Sequence, residues 1–232
     1  MAHTLITGGA GYLGMALAEH YVAAGGQVSL ADVKTEVIER AEAIGASGIV
    51  VDLTADDQVS ELSAMKPLDA LVCAVGAWPR IPWEQLTPAR WRELIDINLT
   101  SAYLAVRATT EALVQSRGSI VLVGSAIALK GNPEMAHYAA AKAGLHGLAK
   151  SLALSLGPRG VRVNIVAPGL IETPDADTTW SSEQKKVLWN QRAMRGPLEV
   201  AEVVDAVAFF TSPQSRAITG QVLVVDRGVV LH

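Results

Sequence analysis

Tyr138 and Lys142 stand four residues apart in His137-Tyr-Ala-Ala-Ala-Lys-Ala-Gly, and Ser125 lies thirteen residues before the tyrosine. On a helix, residues i and i+4 share one face about one turn apart, which sets the Lys142 ammonium near the Tyr138 phenol. A nearby positive charge favours a phenolate. A free tyrosine titrates near ~10, so a base poised near neutrality needs a shift of roughly three units, about 4 kcal/mol. Ser125 follows the apolar run Ser119-Ile-Val-Leu-Val-Gly, which reads as a buried strand. Its hydroxyl therefore emerges at a strand's carboxyl end, where open α/β sheets bind ligands. A Tyr-x-x-x-Lys pair occurs by chance in many helices; the strand-end serine makes this one a candidate for acid–base chemistry, with Lys142 expected to depress the Tyr138 pKa.

The amino terminus supplies the second half. A short apolar strand, Leu5-Ile6, runs into Thr7-Gly8-Gly9-Ala10-Gly11-Tyr12-Leu13-Gly14 and then a helical pattern from Met15. Glycines after a strand let the backbone turn tightly and approach a pyrophosphate, to which the helix N-terminus offers unpaired N–H groups. The next strand, Gln27-Val-Ser-Leu-Ala, ends in Asp32. A carboxylate there can accept hydrogen bonds from adenosine ribose hydroxyls and repel a 2′-phosphate. Capping the following helix is the plainer use of the same residue.

Together these motifs resemble the short-chain dehydrogenase/reductase family, in its compact one-domain branch, over nearly the whole chain. The resemblance implies an active site of Ser125, Tyr138, Lys142 and Asn98, the last holding a water in a proton relay. Asn98 stands in Ile95-Asp-Ile-Asn-Leu-Thr-Ser, within a helix opened by Thr87-Pro88. The resemblance further implies cofactor contacts from Gly8, Gly11, Tyr12, Leu13 and Gly14, from Asp52 and Leu53 at the adenine, and from Ala74 and Gly76. Pro168, Ile171 and Thr173 would follow at the nicotinamide carboxamide, with Tyr138 and Lys142 completing the set and Lys142 on the nicotinamide ribose. Three departures stand out. The glycine spacing, Gly8-x-x-Gly11-x-x-Gly14, is that of a longer epimerase-like branch. Cys73-Ala74-Val75-Gly76 replaces Asn-Asn-Ala-Gly, and Asp226-Arg227-Gly228 replaces a terminal Asp-Gly-Gly.

Elements must position these residues. Apolar runs alternate with helical patterns: strands are expected near 3–7, 27–31, 48–51, 69–75, 118–124, 161–166 and 221–226. Helices are expected over 12–25, 34–45, 56–65, 88–115, 137–157 and 199–212. Such alternation implies a parallel sheet with crossover helices, a doubly wound Rossmann-type α/β fold. The expected order is 3-2-1-4-5-6-7, its seventh position resting on the resemblance. The chain reads as one domain over 1–232, with an irregular stretch at about 171–197 placed as a substrate lid. Small residues Ala140, Ala143, Gly144 and Gly147 on one helix face suit close packing, and the resemblance implies a homotetramer or homodimer through that helix.

Half of the 232 residues are hydrophobic, 18% are charged, and net charge is −4. That balance suits a sheet buried on both faces and offers no attraction for nucleic acid or anionic membrane. The single cysteine, Cys73, excludes an internal disulfide and lies in an apolar run, so it reads as core in a reducing compartment. The five histidines lack metal-ligand spacing. No apolar run is long enough to span a bilayer and no basic start precedes a signal stretch, so a cytoplasmic location is expected.

The resulting expectation is an NAD-dependent oxidoreductase interconverting a secondary alcohol and a ketone, Tyr138 being the base. Its rivals are an NADPH-dependent ketoreductase of 3-oxoacyl thioesters, kept open by Lys34, and a dinucleotide sensor without chemistry. An apolar substrate pocket is expected from Trp78, Ile127, Leu129, Pro133, Leu170, Trp180 and Trp189. Arg80 or Arg192 is the candidate to receive a substrate carboxylate.

Overall fold

Seven strands run parallel in one sheet: β1 (His3–Thr7), β2 (Gln27–Asp32), β3 (Ser47–Val50), β4 (Ala70–Cys73), β5 (Ser119–Val123), β6 (Arg162–Pro168) and β7 (Val222–Val225). Their order is β3-β2-β1-β4-β5-β6-β7, as expected. This computed structural model describes residues 2–65, 67–173 and 180–231.

The central strands β1, β4 and β5 are buried along their whole length. Side chains alternate between faces with period two, so neighbours separate into two cores. Leu71, Ile120 and Leu122 join Leu113, Leu145 and Leu156 on one face of the sheet. Val72, Val121 and Val123 join Leu17, Val37 and Phe210 on the other. The first core is covered by α5 (Ser101–Ser116), α7 (Ala136–Leu156) and a short α3 (Asp56–Val59), which gives way to a 3-10 turn at Ser60–Ala64 where one helix over 56–65 is expected. The second is covered by α1 (Tyr12–Ala23), α2 (Val37–Ala43) and a late helix, Val200–Thr211. Strand order reverses between β1 and β4, which opens a crevice at their carboxyl ends.

Three further local features depart from expectation. The long helix over 88–115 is divided: α4 (Pro88–Ile95) passes through a π turn at Asp96–Thr100 before α5 begins. Asn98 sits in that turn, where its side chain bonds the Leu94 carbonyl at 2.8 Å. A short α6 (Ile127–Lys130) follows Ser125. The stretch at 171–197 holds a regular helix, α8 (Ser182–Gln191), opened by a capping box between Ser181 and Gln184. The rest of that expected lid, 174–179, lies outside the described residues. We number the helix Val200–Thr211 α9.

Among the described residues no helix is long and apolar enough to cross a membrane, and no group of His, Cys, Asp or Glu could hold a metal ion.

Gly48 lets β3 lie directly on α2. A Cβ there would stand 2.5 Å from the Ile38 Cα and 2.6 Å from the Val37 carbonyl oxygen. Gly48→Ala should therefore lower stability by about 1–3 kcal/mol, the usual cost of overpacking, read as an earlier midpoint in urea.

Candidate active site

One cavity of about 500 Å³ opens along the carboxyl ends of the strands. Gly8, Gly11, Tyr12, Leu13, Gly14, Asp32, Asp52, Leu53, Ala74, Gly76, Ser125, Tyr138, Lys142, Pro168, Ile171 and Thr173 all line it. Asn98, alone among the predicted catalytic and cofactor-binding residues, does not.

At the amino-terminal end the glycine loop leads into α1. No side chain caps that helix and no acidic residue stands in its first turn, which leaves its N–H groups and positive dipole end for an anion. Gly14 packs against the loop, where a Cβ would collide with the Gly8 carbonyl oxygen. Asp32 has one oxygen on the Ala10 N–H at 3.0 Å and the other on the Lys34 N–H at 3.1 Å. It thus steadies the loop as well as facing the cavity. The sequence reading missed a second cation here. Arg40, brought by α2, donates to the Ala10 carbonyl at 2.8 Å and pairs with Glu36 at 3.2 Å. These groups fit a dinucleotide: an open helix N-terminus for the pyrophosphate and a carboxylate for the ribose.

At the other end, Ser125 leaves β5 and its Oγ accepts a hydrogen bond from the Ile127 N–H at 3.2 Å. Lys142 is buried to 2% exposure. Its Nζ donates to the Val75 carbonyl at 3.1 Å and the Val123 carbonyl at 2.9 Å, and lies 5.6 Å from the Tyr138 ring centroid. Burial pushes the lysine down to about 8. The expected depression of Tyr138 is reversed: burial pushes the phenol up to about 12, and a hydrogen bond with Ser125 pulls it only part of the way back. Desolvation of the phenolate dominates, and the Ser125 hydrogen bond is the opposing influence.

The Asn98 side chain is engaged by the backbone around it. Its Oδ1 accepts from the Ala77 N–H at 3.0 Å and its Nδ2 donates to the Ala77 carbonyl at 2.9 Å. With Leu94 also bonded, both amide protons are used. This clamp supports the loop in which Cys73-Ala74-Val75-Gly76 lacks side-chain amides.

Of the apolar pocket expected, Trp78, Ile127, Leu170 and Trp180 line the cavity. Leu129, Pro133 and Trp189 stand outside it, and Met135, Leu188 and Val229 line it in their place. Neighbours on a helix point in different directions, so α8 offers Leu188 and turns Trp189 aside. The two arginines have other partners. Arg80 pairs with Glu134 and lies 5.1 Å from the Trp180 ring centroid. Arg192 is buried and donates to the Gly196 and Leu170 carbonyls at 2.6 and 2.8 Å. A buried Lys185, bonded to Glu172 at 2.6 Å, ties α8 to the segment after β6.

The family described as enoyl-(acyl carrier protein) reductase matches residues 9–230. A Burkholderia thailandensis oxidoreductase of the short-chain dehydrogenase/reductase family is 33% identical, with a TM-score of 0.91 over 99% of this chain and 92% of that one. The chain belongs to the short-chain dehydrogenase/reductase family. It is therefore an oxidoreductase acting on hydroxyl and keto groups with a nicotinamide dinucleotide. The 3-oxoacyl-(acyl-carrier-protein) reductase FabG of Salmonella typhimurium is 33% identical over 236 residues, covering 98% of this chain and 96% of the relative. A Brucella melitensis enzyme, titled 3-oxoacyl-(acyl-carrier protein) reductase, superposes with a TM-score of 0.93 at 29% identity, over 100% of this chain and 92% of that one.

The lysine shift has a testable sign. A folded pKa of about 8 against 10.5 means that the folded protein sheds this proton first. The stability linked to Lys142 is present above 10.5 and is lost as pH falls through 8. Cofactor-free protein should accordingly gain stability between pH 8 and 10, and Lys142→Met should lack that rise in urea titrations across the window.

Proposed function

We propose that the protein is a ketoreductase, taking a ketone to a secondary alcohol. The observation that carries this reading is Tyr138 beside the strand-end Ser125 in one apolar cavity, supported by full-length relatives named as 3-oxoacyl reductases. A protonated phenol is a general acid, and reduction of a carbonyl needs a proton donor at its oxygen. When bound, the nicotinamide supplies hydride to the carbonyl carbon. Ser125 hydrogen-bonds the substrate oxygen, and Tyr138 donates its proton as negative charge develops there. Lys142, titrating near 8, can return a proton to the phenoxide. Asn98 contributes through Ala77, holding the loop beside the site. The described part of the expected lid covers the cavity from 180 to 197: Trp180, Leu188 and Arg192 face it, and Lys185–Glu172 anchors α8 over it.

Asp32 favours NADH, because its carboxylate would repel a 2′-phosphate. A second reading, an NADPH-dependent reductase of 3-oxoacyl thioesters, is supported by the names of the relatives and by Lys34 and Arg40 beside the same corner. Initial rates with acetoacetyl-coenzyme A and with an apolar cyclic ketone, each with NADH and NADPH, decide between the two. Turnover with the thioester and NADPH in preference to NADH establishes the second. No loss of reduced-cofactor absorbance with any ketone overturns both. Tyr138→Phe should lower turnover by about 10²–10⁴-fold while leaving cofactor affinity near wild type. Reduction should slow as pH rises towards the Tyr138 pKa, since the donor form is then lost.

For self-association we propose the α7 face. Ala140, Ala143 and Gly147 are exposed, and a Cβ at Gly147 would meet nothing within 4 Å. Gly144 instead packs on Leu99 within the subunit. Leu154 is 81% exposed and Tyr103, on α5, 44%. Light scattering at micromolar concentration should report a dimer or tetramer, weakened by Leu154→Glu; a monomer overturns this.

A further inference from the structure

His137, the residue before Tyr138, is fully buried. Its Nε2 lies 3.1 Å from the Pro79 carbonyl, and its Nδ1 is buried with no partner. A carbonyl only accepts, so Nε2 carries the proton and Nδ1 is a bare lone pair. The ring is thus a neutral imidazole making one directed bond to a segment 58 residues away.

That segment is the loop after β4. Ala77 is clamped by Asn98 through both its N–H and its carbonyl, and Pro79 is held by His137. Trp78 lies between them, so its backbone is pinned on both sides. Its indole meets the Tyr138 ring edge-on, with centroids 6.4 Å apart at 66°. It also leans over Gly76, where an added Cβ would stand 3.5 Å from the indole Cζ3. Despite these contacts 43% of Trp78 remains exposed, and it lines the cavity. Large apolar surface left open in a cavity is where an apolar group of a ligand gains most by binding.

We propose that His137 is a positioning residue that fixes Trp78 as the wall for an apolar ring or chain on the ketone carbon. Two adjacent residues of α7 then divide the work. Tyr138 meets the carbonyl oxygen, and His137 sets where the carbon substituent rests. The inference deepens the ketoreductase reading and rests on it for substrate class.

The test compares a bulky apolar ketone, 2-decalone, with a small one, 2-butanone. In His137→Leu the KM for 2-decalone should rise about tenfold relative to that for 2-butanone, in the range a lost hydrophobic contact produces, with kcat changing less than about twofold. His137→Gln, which keeps an N–H near the Nε2 position, should restore the preference. His137→Asn, whose amide is too short to reach Pro79, should not, and it stands in if the leucine variant fails to fold. Trp78→Ala should abolish the preference, and adding His137→Leu to it should change nothing further. An equal fall in kcat for both ketones, or a 2-decalone preference that survives in folded His137→Leu, overturns the proposal. If the wild type turns over neither ketone, the ketoreductase reading fails separately. Fluorescence then decides the wall: 2-decalone should perturb wild-type tryptophan emission, less so in His137→Leu and least in Trp78→Phe, where of the tryptophans only Trp180 still lines the cavity, and identical titration curves in all three overturn it.

Discussion

An ammonium taken out of water must find acceptors inside the protein, and this requirement at Lys142 organises the site. Its two acceptors are the carbonyls of Val75 and Val123, at the carboxyl ends of neighbouring parallel strands. One buried cation therefore ties α7 to the backbone at the ends of both strands. Tyr138 lies one turn away on the same helix and shares that tie. Losing either carbonyl would leave a buried charge underbonded, a far larger cost than that of any surface ion pair in the molecule.

Charge and burial oppose each other at Tyr138, and burial prevails. The spacing to Lys142 shows that a cation is close, but spacing carries no measure of how much water the fold removes. The outcome reverses the chemical character assigned to the phenol, from a base to a stored proton. The same phenol gives a proton in reduction and takes one in oxidation, so burial sets its resting form and not the direction of the reaction.

Most of the fold was legible because strands buried on both faces read as unbroken apolar runs, as in Ser119-Ile-Val-Leu-Val. The strand-end serine and the glycine loop were legible for the same reason: each is placed by the strand before it. The π turn at Asp96–Thr100 was not, since a one-residue change in helix winding leaves the apolar pattern almost intact. Helix α8 did leave a signal, Ser181-Ser-Glu-Gln184, a capping-box spacing hidden by the polar composition around it. The partners of Arg40, Arg80, Arg192 and Asn98 depend on contacts between distant segments. No local pattern encodes which carbonyl a side chain will reach.

Asp32 joins two duties that evolution cannot adjust one at a time. The carboxylate proposed to meet the cofactor's ribose also holds the Ala10 N–H and so the turn of the glycine loop. A lineage that exchanges this residue also loosens the glycine loop at the N-terminus of α1. The passable route runs through side chains that keep an acceptor at that point, asparagine or serine, or through a second change that re-ties Ala10 first. Arg40, already bonded to the Ala10 carbonyl, is the residue around which such a detour would form.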